Sequence, residues 1–314
     1  MNVGLLLLLS NFGYYFPGQT SALTTKNQQI ISSEKNLYAL DCVFSVLTSS
    51  NYGGAIYFYG SNFYILIESC LFDGCSSVNG GGAVFVQMSI GTVFAKVCAY
   101  KCYSNGYGQF ADLCAANSAK NDLITSTMAC CSTSLTGRQY SVYIHTGSSL
   151  LEGFNSSSNT NYDYAGVHFL YLTNPHVSLS TFKSNFAQEI VIGIRYCSCL
   201  FENCNIVNNT ASTWGVFYSG ASSTTIEKCI LSANTGSLFS IDSGGSYSIT
   251  NNWIHHQGTT SQNGVTKTYP LTHFIGGQCE GDIKVSTLSQ IGKNNKTFFY
   301  FSLYYLLVNH FLFW

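Results

Sequence analysis

The sequence predicts an all-β chain, a right-handed parallel β-helix (solenoid) of about nine coils with a hydrophobic C-terminal tail. Three observations lead there. Ile67–Val86 repeats Ala39–Phe58 at a distance of 28 residues, with Cys70, Phe72 and Gly81–Val84 standing for Cys42, Phe44 and Gly53–Ile56. Only 9% of residues are charged against 15% aromatic, with 29 Gly and 3 Pro, which suits short strands and tight turns and not the charged outer faces of helices. A large apolar residue recurs every 23 to 28 positions, at Phe44, Phe72, Tyr100, Met128, Phe154, Phe182, Ile206, Leu231 and Ile254.

The chain begins with an apolar run, Val3 to Leu9, followed by small residues at Thr20-Ser21-Ala22. Residues 1–22 are expected to be a signal peptide. Residues 23–36 are then an N-terminal cap, and 37–257 carry the repeats.

Within the repeats, a second residue stands five before each anchor: Ala39, Ile67, Ala95, Leu123, Ser149, Val177, Phe201, Ile226 and Ile249, apolar in eight of nine cases. Residues five apart on a straight strand face opposite sides, so both columns point inward only if the chain bends between them. Three residues after the anchor come Cys75, Cys131, Asn185, Asn209 and Asn234, in the place of a turn. Roughly ten residues on come Gly53-Gly54, Gly81-Gly82, Gly108, Gly166 and Gly215, read as a glycine corner. Helical repeats fail because Gly, Asn or Ser breaks every apolar stretch after five to eight residues, and a propeller blade needs roughly 40 residues.

The Gly53–Ile56 and Gly81–Val84 copies, with Phe182-Lys183-Ser184-Asn185, resemble the GGA[ILV] and FxxN repeats of polymorphic outer-membrane-protein type surface proteins. Similar right-handed β-helix proteins form large surface families in parasitic protists. The resemblance covers about residues 37–257 and concerns the passenger part alone. It implies a surface protein that adheres or binds a ligand through its side wall. Right-handedness rests on this resemblance and on the general rule for parallel crossovers.

Residues 258–297 follow as a C-terminal cap or stalk. Phe298–Trp314 has no formal charge over 17 residues, roughly 25 Å as a helix. It is expected to attach the protein to a membrane, as a span or as a removed anchor signal; a buried aromatic strand is the alternative.

Chemistry-bearing residues are sparse. Cys42, Cys70, Cys98, Cys204 and Cys229 share one repeat position, two before the anchor, and form either inter-coil disulfides or a buried Cys ladder. Asn155, Asn208 and Asn295 head glycosylation sequons. Glu68, Glu152 and Glu227 occupy equivalent, exposed-looking places, and the one close acidic pair, Glu280 and Asp282, is split by Gly281. A polysaccharide lyase or hydrolase on the same scaffold is therefore an alternative, and a structural scaffold protein a second one. His145, His168 and His176 read as structural. Cys197, Cys199, Cys204, His255 and His256 lack the paired spacing of a zinc site, so neither metal nor cofactor is expected. A net charge of −1 without a basic block argues against nucleic acid. The expected partners are the membrane and host-cell or matrix glycans or proteins. Exposed tyrosines, with Tyr57, Tyr59, Tyr162, Tyr164 and Tyr218 as candidates, would carry the contact.

Overall fold

The computed structural model describes residues 12–24, 28–32, 35–132 and 140–256. They form a parallel β-solenoid of about eight turns. Nine short strands, from Val43–Ser45 to Trp253–His255, stack into one wall. A second, larger sheet bends into two further walls, exemplified by Tyr164–Leu170 and His176–Ser178 of one turn. Strands begin before residue 37: Ala22–Thr24 and Ile30–Ser32, from the expected cap, pair in parallel with Leu37–Leu40 and Ile56–Phe58. Residues from 258 onward, including both expected C-terminal segments, lie outside the described residues.

The inward column of the nine-stranded wall is Phe44, Phe72, Ala99, Met128, Ser156, Phe182, Ile206, Leu231 and Ile254. Two anchors read from sequence are thereby corrected. Tyr100 lies one residue past the column, and Phe154, though buried, lies two before it. The companion column shifts likewise, with Phe94 and Leu151 replacing Ala95 and Ser149. All nine of its members are then apolar. Phe44 and Phe72 stack with centroids 4.9 Å apart at 14°, the distance that parallel strands impose on equivalent residues.

Both bends of this wall use left-handed backbone. The residue three before each anchor has positive φ (Asp41, Ser69, Lys96, Thr125, Gly153, Leu179, Asn203, Lys228, Asn251), and so does the residue two after it in the first eight turns, from Val46 to Ala233. The next residue in each case points inward. Its N–H faces the adjacent turn, where a side chain takes the place of a backbone acceptor. Asn159, Asn185 and Asn209 donate N–H to Asn185, Asn209 and Asn234 Oδ1 at 3.1, 3.0 and 2.9 Å. Each acceptor returns the favour through Nδ2 to the anchor carbonyl below, at Ser156, Phe182 and Ile206. Cys75 and Cys102 hold the same place in earlier turns and donate S–H to Phe44 and Phe72 O.

The other corner follows the same rule with other residues. Ser126, Ser180 and Asn252 accept from Val97, Phe154 and Cys229 N–H. Cys70 and Cys229 accept from Cys42 and Cys204 N–H through sulfur. Cys42, Cys70, Cys204 and Cys229 bridge coils by hydrogen bonds through their thiols. Cys98 is not one of them: it is disulfide-bonded and pairs with Leu71 and Thr127, one residue out of register, so that Val97 occupies the ladder position.

The Gly-Gly-Ala corners have a steric cause. Gly53, Gly81 and Gly108 take positive φ, and a Cβ on Gly54 or Gly82 would overlap a backbone carbonyl of the adjacent turn. At the third copy Gln109 replaces the second glycine and folds back, donating to Ser104 O at 2.8 Å. Gly166 and Gly215, expected at the same corner, have no positive φ and lie inside strands.

Two stability changes are expected. Asn185→Ala removes the acceptor for Asn159 N–H and leaves it buried without that partner, lowering stability by about 2 kcal/mol, read as a lower urea midpoint. Val46, β-branched and exposed at φ 54°, is strained there, and Val46→Asn raises stability by about 1 kcal/mol, read as a higher urea midpoint.

Candidate functional site

Since the inside is filled, chemistry is confined to outward columns. On the first half of the large sheet one such column runs Tyr57, Phe85, Asp112, Tyr143, His168, Gly193, Tyr218 and Ser240. The next runs Gln87, Cys114, His145, Leu170, Arg195, Gly220 and Asp242. Alternation puts both on one side, because the residues between them, such as Leu113, Ile144 and Phe169, are core.

At the N-terminal end this wall borders an open groove of about 480 Å³. Gln29, Ile31, Thr48, Ser49, Ser50, Asn51, Tyr57 and Tyr59 line it. The Tyr57 and Tyr59 rings lie 5.0 Å apart at 31°, and Tyr52 and Phe85 back Tyr57. Gln29 Nε2 donates to Gly53 O at 3.2 Å, and Asn51 Oδ1 accepts from Asn79 at 2.9 Å, so the amides are oriented. Among the described residues, no carboxylate, lysine, arginine or histidine lines the groove.

Farther along, rings stack against one another. His168 lies on Tyr164 with centroids 4.0 Å apart at 3° and near Tyr143 at 5.3 Å and 17°. Tyr143 stacks in turn on His145 at 4.7 Å and 14°. Gly193 makes room, since a Cβ there would overlap the Tyr164 ring. His168 is 3% exposed, and neither ring nitrogen has a hydrogen-bond partner. Burial, then the positive charges of Arg195 and His145, push its pKa down to about 3, so it is neutral.

His145 is the opposite case. Burial alone would lower it, but Nε2 lies 3.2 Å from Asp112 Oδ1 and the ring also bonds the Cys114 thiol, which together raise it to about 9. Burial raises the Cys114 thiol, and the bonds to His145 more than offset this, leaving it below its ordinary value. Arg195 Nη2 donates to Tyr218 Oη at 3.0 Å, and Tyr218 donates to Asp242 at 2.9 Å.

The tyrosine candidates thus divide. Tyr57, Tyr59 and Tyr162 stand at the surface, whereas Tyr164 and Tyr218 are buried within this aromatic wall. Asn208 is exposed at a left-handed corner, Asn155 lies half-buried in a strand, and Asn295 lies outside the described residues. Glu68, expected to be exposed, is buried and accepts from Tyr38 Oη at 2.6 Å. Phe12 and Phe16, from the segment expected as a leader, pack beside it with Tyr38, Leu66 and Val93. Sequence reading missed the Asp112, Cys114 and His145 cluster, although the alternations Ala111-Asp112-Leu113-Cys114 and Val142-Tyr143-Ile144-His145 carry it.

Among the described residues no group of three or more donors is placed to hold a metal ion, and no helix is long and apolar enough to cross a membrane. No family model, curated protein or solved structure matches the chain.

The two histidines give opposite pH dependences. His168 refuses a proton that the unfolded chain accepts below about 6.5, so its contribution is complete above 6.5 and is lost as pH falls toward 3. His145 keeps a proton that the unfolded chain releases, so its contribution is complete below 6.5 and is lost as pH rises toward 9. Urea midpoints are expected to show His168→Phe gaining on wild type as pH falls from 6.5 to 4. His145→Gln is expected to lose least, relative to wild type, at pH 9.

Proposed function

We propose that the protein is a non-catalytic binding protein displayed at a cell surface, and that the Tyr57 and Tyr59 groove holds a neutral glycan. The groove carries the reading. Sugar rings present a flat C–H face that packs on tyrosine, and hydroxyls that pair with amide and hydroxyl side chains; Gln29, Thr48, Ser49, Ser50 and Asn51 supply those beside two rings. The lining has no carboxylate among the described residues, which favours binding over cleavage, because glycoside hydrolysis needs two of them across the bond. Surface display is supported by the apolar runs Val3–Leu9 and Phe298–Trp314, and by the likeness of the Gly-Gly-Ala and Phe-x-x-Asn copies to surface β-helix families.

On an array of neutral and acidic oligosaccharides, the purified protein is expected to retain neutral ones. Tyr57→Ala and Tyr59→Ala should each weaken retention about tenfold or more with an unchanged circular dichroism spectrum. Retention of acidic glycans alone, or full retention by both variants, would remove the groove from consideration. Display is tested separately, by protease shaving of intact cells carrying a tag near residue 260. A tag that stays protected while a control surface protein is cut would end the surface reading.

A further inference from the structure

We propose that Cys114, held by His145 and Asp112, is a nucleophilic thiol site that reacts with small disulfides by thiol–disulfide exchange. Asp112 and Cys114 are two apart on one strand and face the same way, and His145 is the Cα partner of Cys114 on the next turn. That puts nucleophile, base and orienting carboxylate in one patch. His145 Nε2 sits 3.2 Å from Asp112 Oδ1. Thr146 Oγ1 lies 3.5 Å from Cys114 Sγ. Imidazole, carboxylate and hydroxyl from two adjacent turns therefore gather round one sulfur, an arrangement that activates a thiol.

The titratable groups facing this sulfur are few. Its own strand offers Asp112, the next turn Tyr143 and His145, and the turn after that His168, with Arg195 beyond. Tyr143 stacks on His145 and fixes its plane. His168, buried and neutral, adds no charge. His145, held beside the Asp112 carboxyl, is the group that draws the Cys114 thiol below its ordinary value against the effect of burial.

Five interior cysteines differ in kind. Cys70, Cys75, Cys102, Cys199 and Cys204 line the solenoid interior; burial raises Cys70, Cys102, Cys199 and Cys204, and the bond with Cys102, then burial, raises Cys75. Cys114 is 9% exposed, and the His145 side chain is 28% exposed, an opening suited to a small molecule. In the reaction the Cys114 thiolate attacks one sulfur of R–S–S–R. The Cys114–S–S–R bond forms and the original S–S bond breaks. The second half leaves as RS⁻ and takes the proton of the His145 imidazolium, so Cys114 is oxidised and one RSH is produced. A free thiol reverses the step.

The test uses the full chain with oxidised glutathione as the probe, mapping each cysteine by peptide mass spectrometry from pH 5 to 9. Cys114 is expected to react about tenfold faster at pH 6.5 than any interior thiol, with its rate half-maximal below about pH 8. His145→Gln should move the half-point toward the ordinary thiol value near 8.5 and slow the reaction at pH 6.5 about tenfold. Asp112→Asn should do so in part, and serves if His145→Gln fails to fold. A wild-type half-point above pH 8, or a variant that reacts at the wild-type rate at pH 6.5, would overturn the assignment.

Discussion

The structure depends on satisfying one buried N–H at most of its corners. A rung that bends sharply through left-handed backbone turns the following amide inward, away from any strand partner. Left unpaired, each such group would cost roughly 1–3 kcal/mol. At most corners the chain answers with an inward Asn, Ser or Cys on the adjacent turn that accepts this N–H and donates to a carbonyl three residues earlier on the same lower rung; Val97 and Phe154 hold the same place with apolar side chains. Asn209 illustrates the complete form, accepting from Asn185 N–H and donating to Phe182 O. Cys70 shows the weaker sulfur version, accepting from Cys42 N–H at 3.4 Å and donating to Ala39 O at 3.5 Å. Cysteine here is a small hydrogen-bonding residue that also fills apolar space.

This device explains why the rungs shorten without breaking the fold. Successive inward residues from Phe182 to Ile206, Leu231 and Ile254 are 24, 25 and 23 apart, against 28 from Phe44 to Phe72. The two bends and the four residues between them keep their spacing from Asp41–Val46 to Lys228–Ala233, so the loss falls on the far side of each coil. Registers on the nine-stranded wall stay continuous because their corner bonds fix one turn to the next.

Much of this was legible in the sequence. The anchor and companion columns, the Asn turn and the Gly-Gly-Ala corners all follow from residues that must do the same thing on every turn. Errors arose where aromatic size suggested the wrong member. Tyr100 and Phe154 are larger than the true column residues, Ala99 and Ser156, and an interior of fixed width accepts a small residue where neighbouring turns supply bulk. The slip at Tyr100 also carried Cys98 into the ladder. Gly166 and Gly215 misled for a related reason: glycine in a strand signals close approach as readily as a corner.

The outward wall was illegible for a different reason. No constraint repeats there, so no column announces itself. Cys114 and His145 are 31 positions apart, longer than any spacing between successive inward residues of the nine-stranded wall. Their adjacency exists only after pairing is known. Yet the same pairing makes such a cluster inexpensive to assemble: any outward residue meets its counterpart on the next turn at about 4.8 Å, and exchanging either leaves the core columns untouched. Gly193 shows the limit of that freedom. It sits among outward residues but is held to hydrogen, because the Tyr164 ring lies where a Cβ would be. Stacked rings on the outside thus impose a packing constraint of their own, and through Tyr143 that constraint reaches His145.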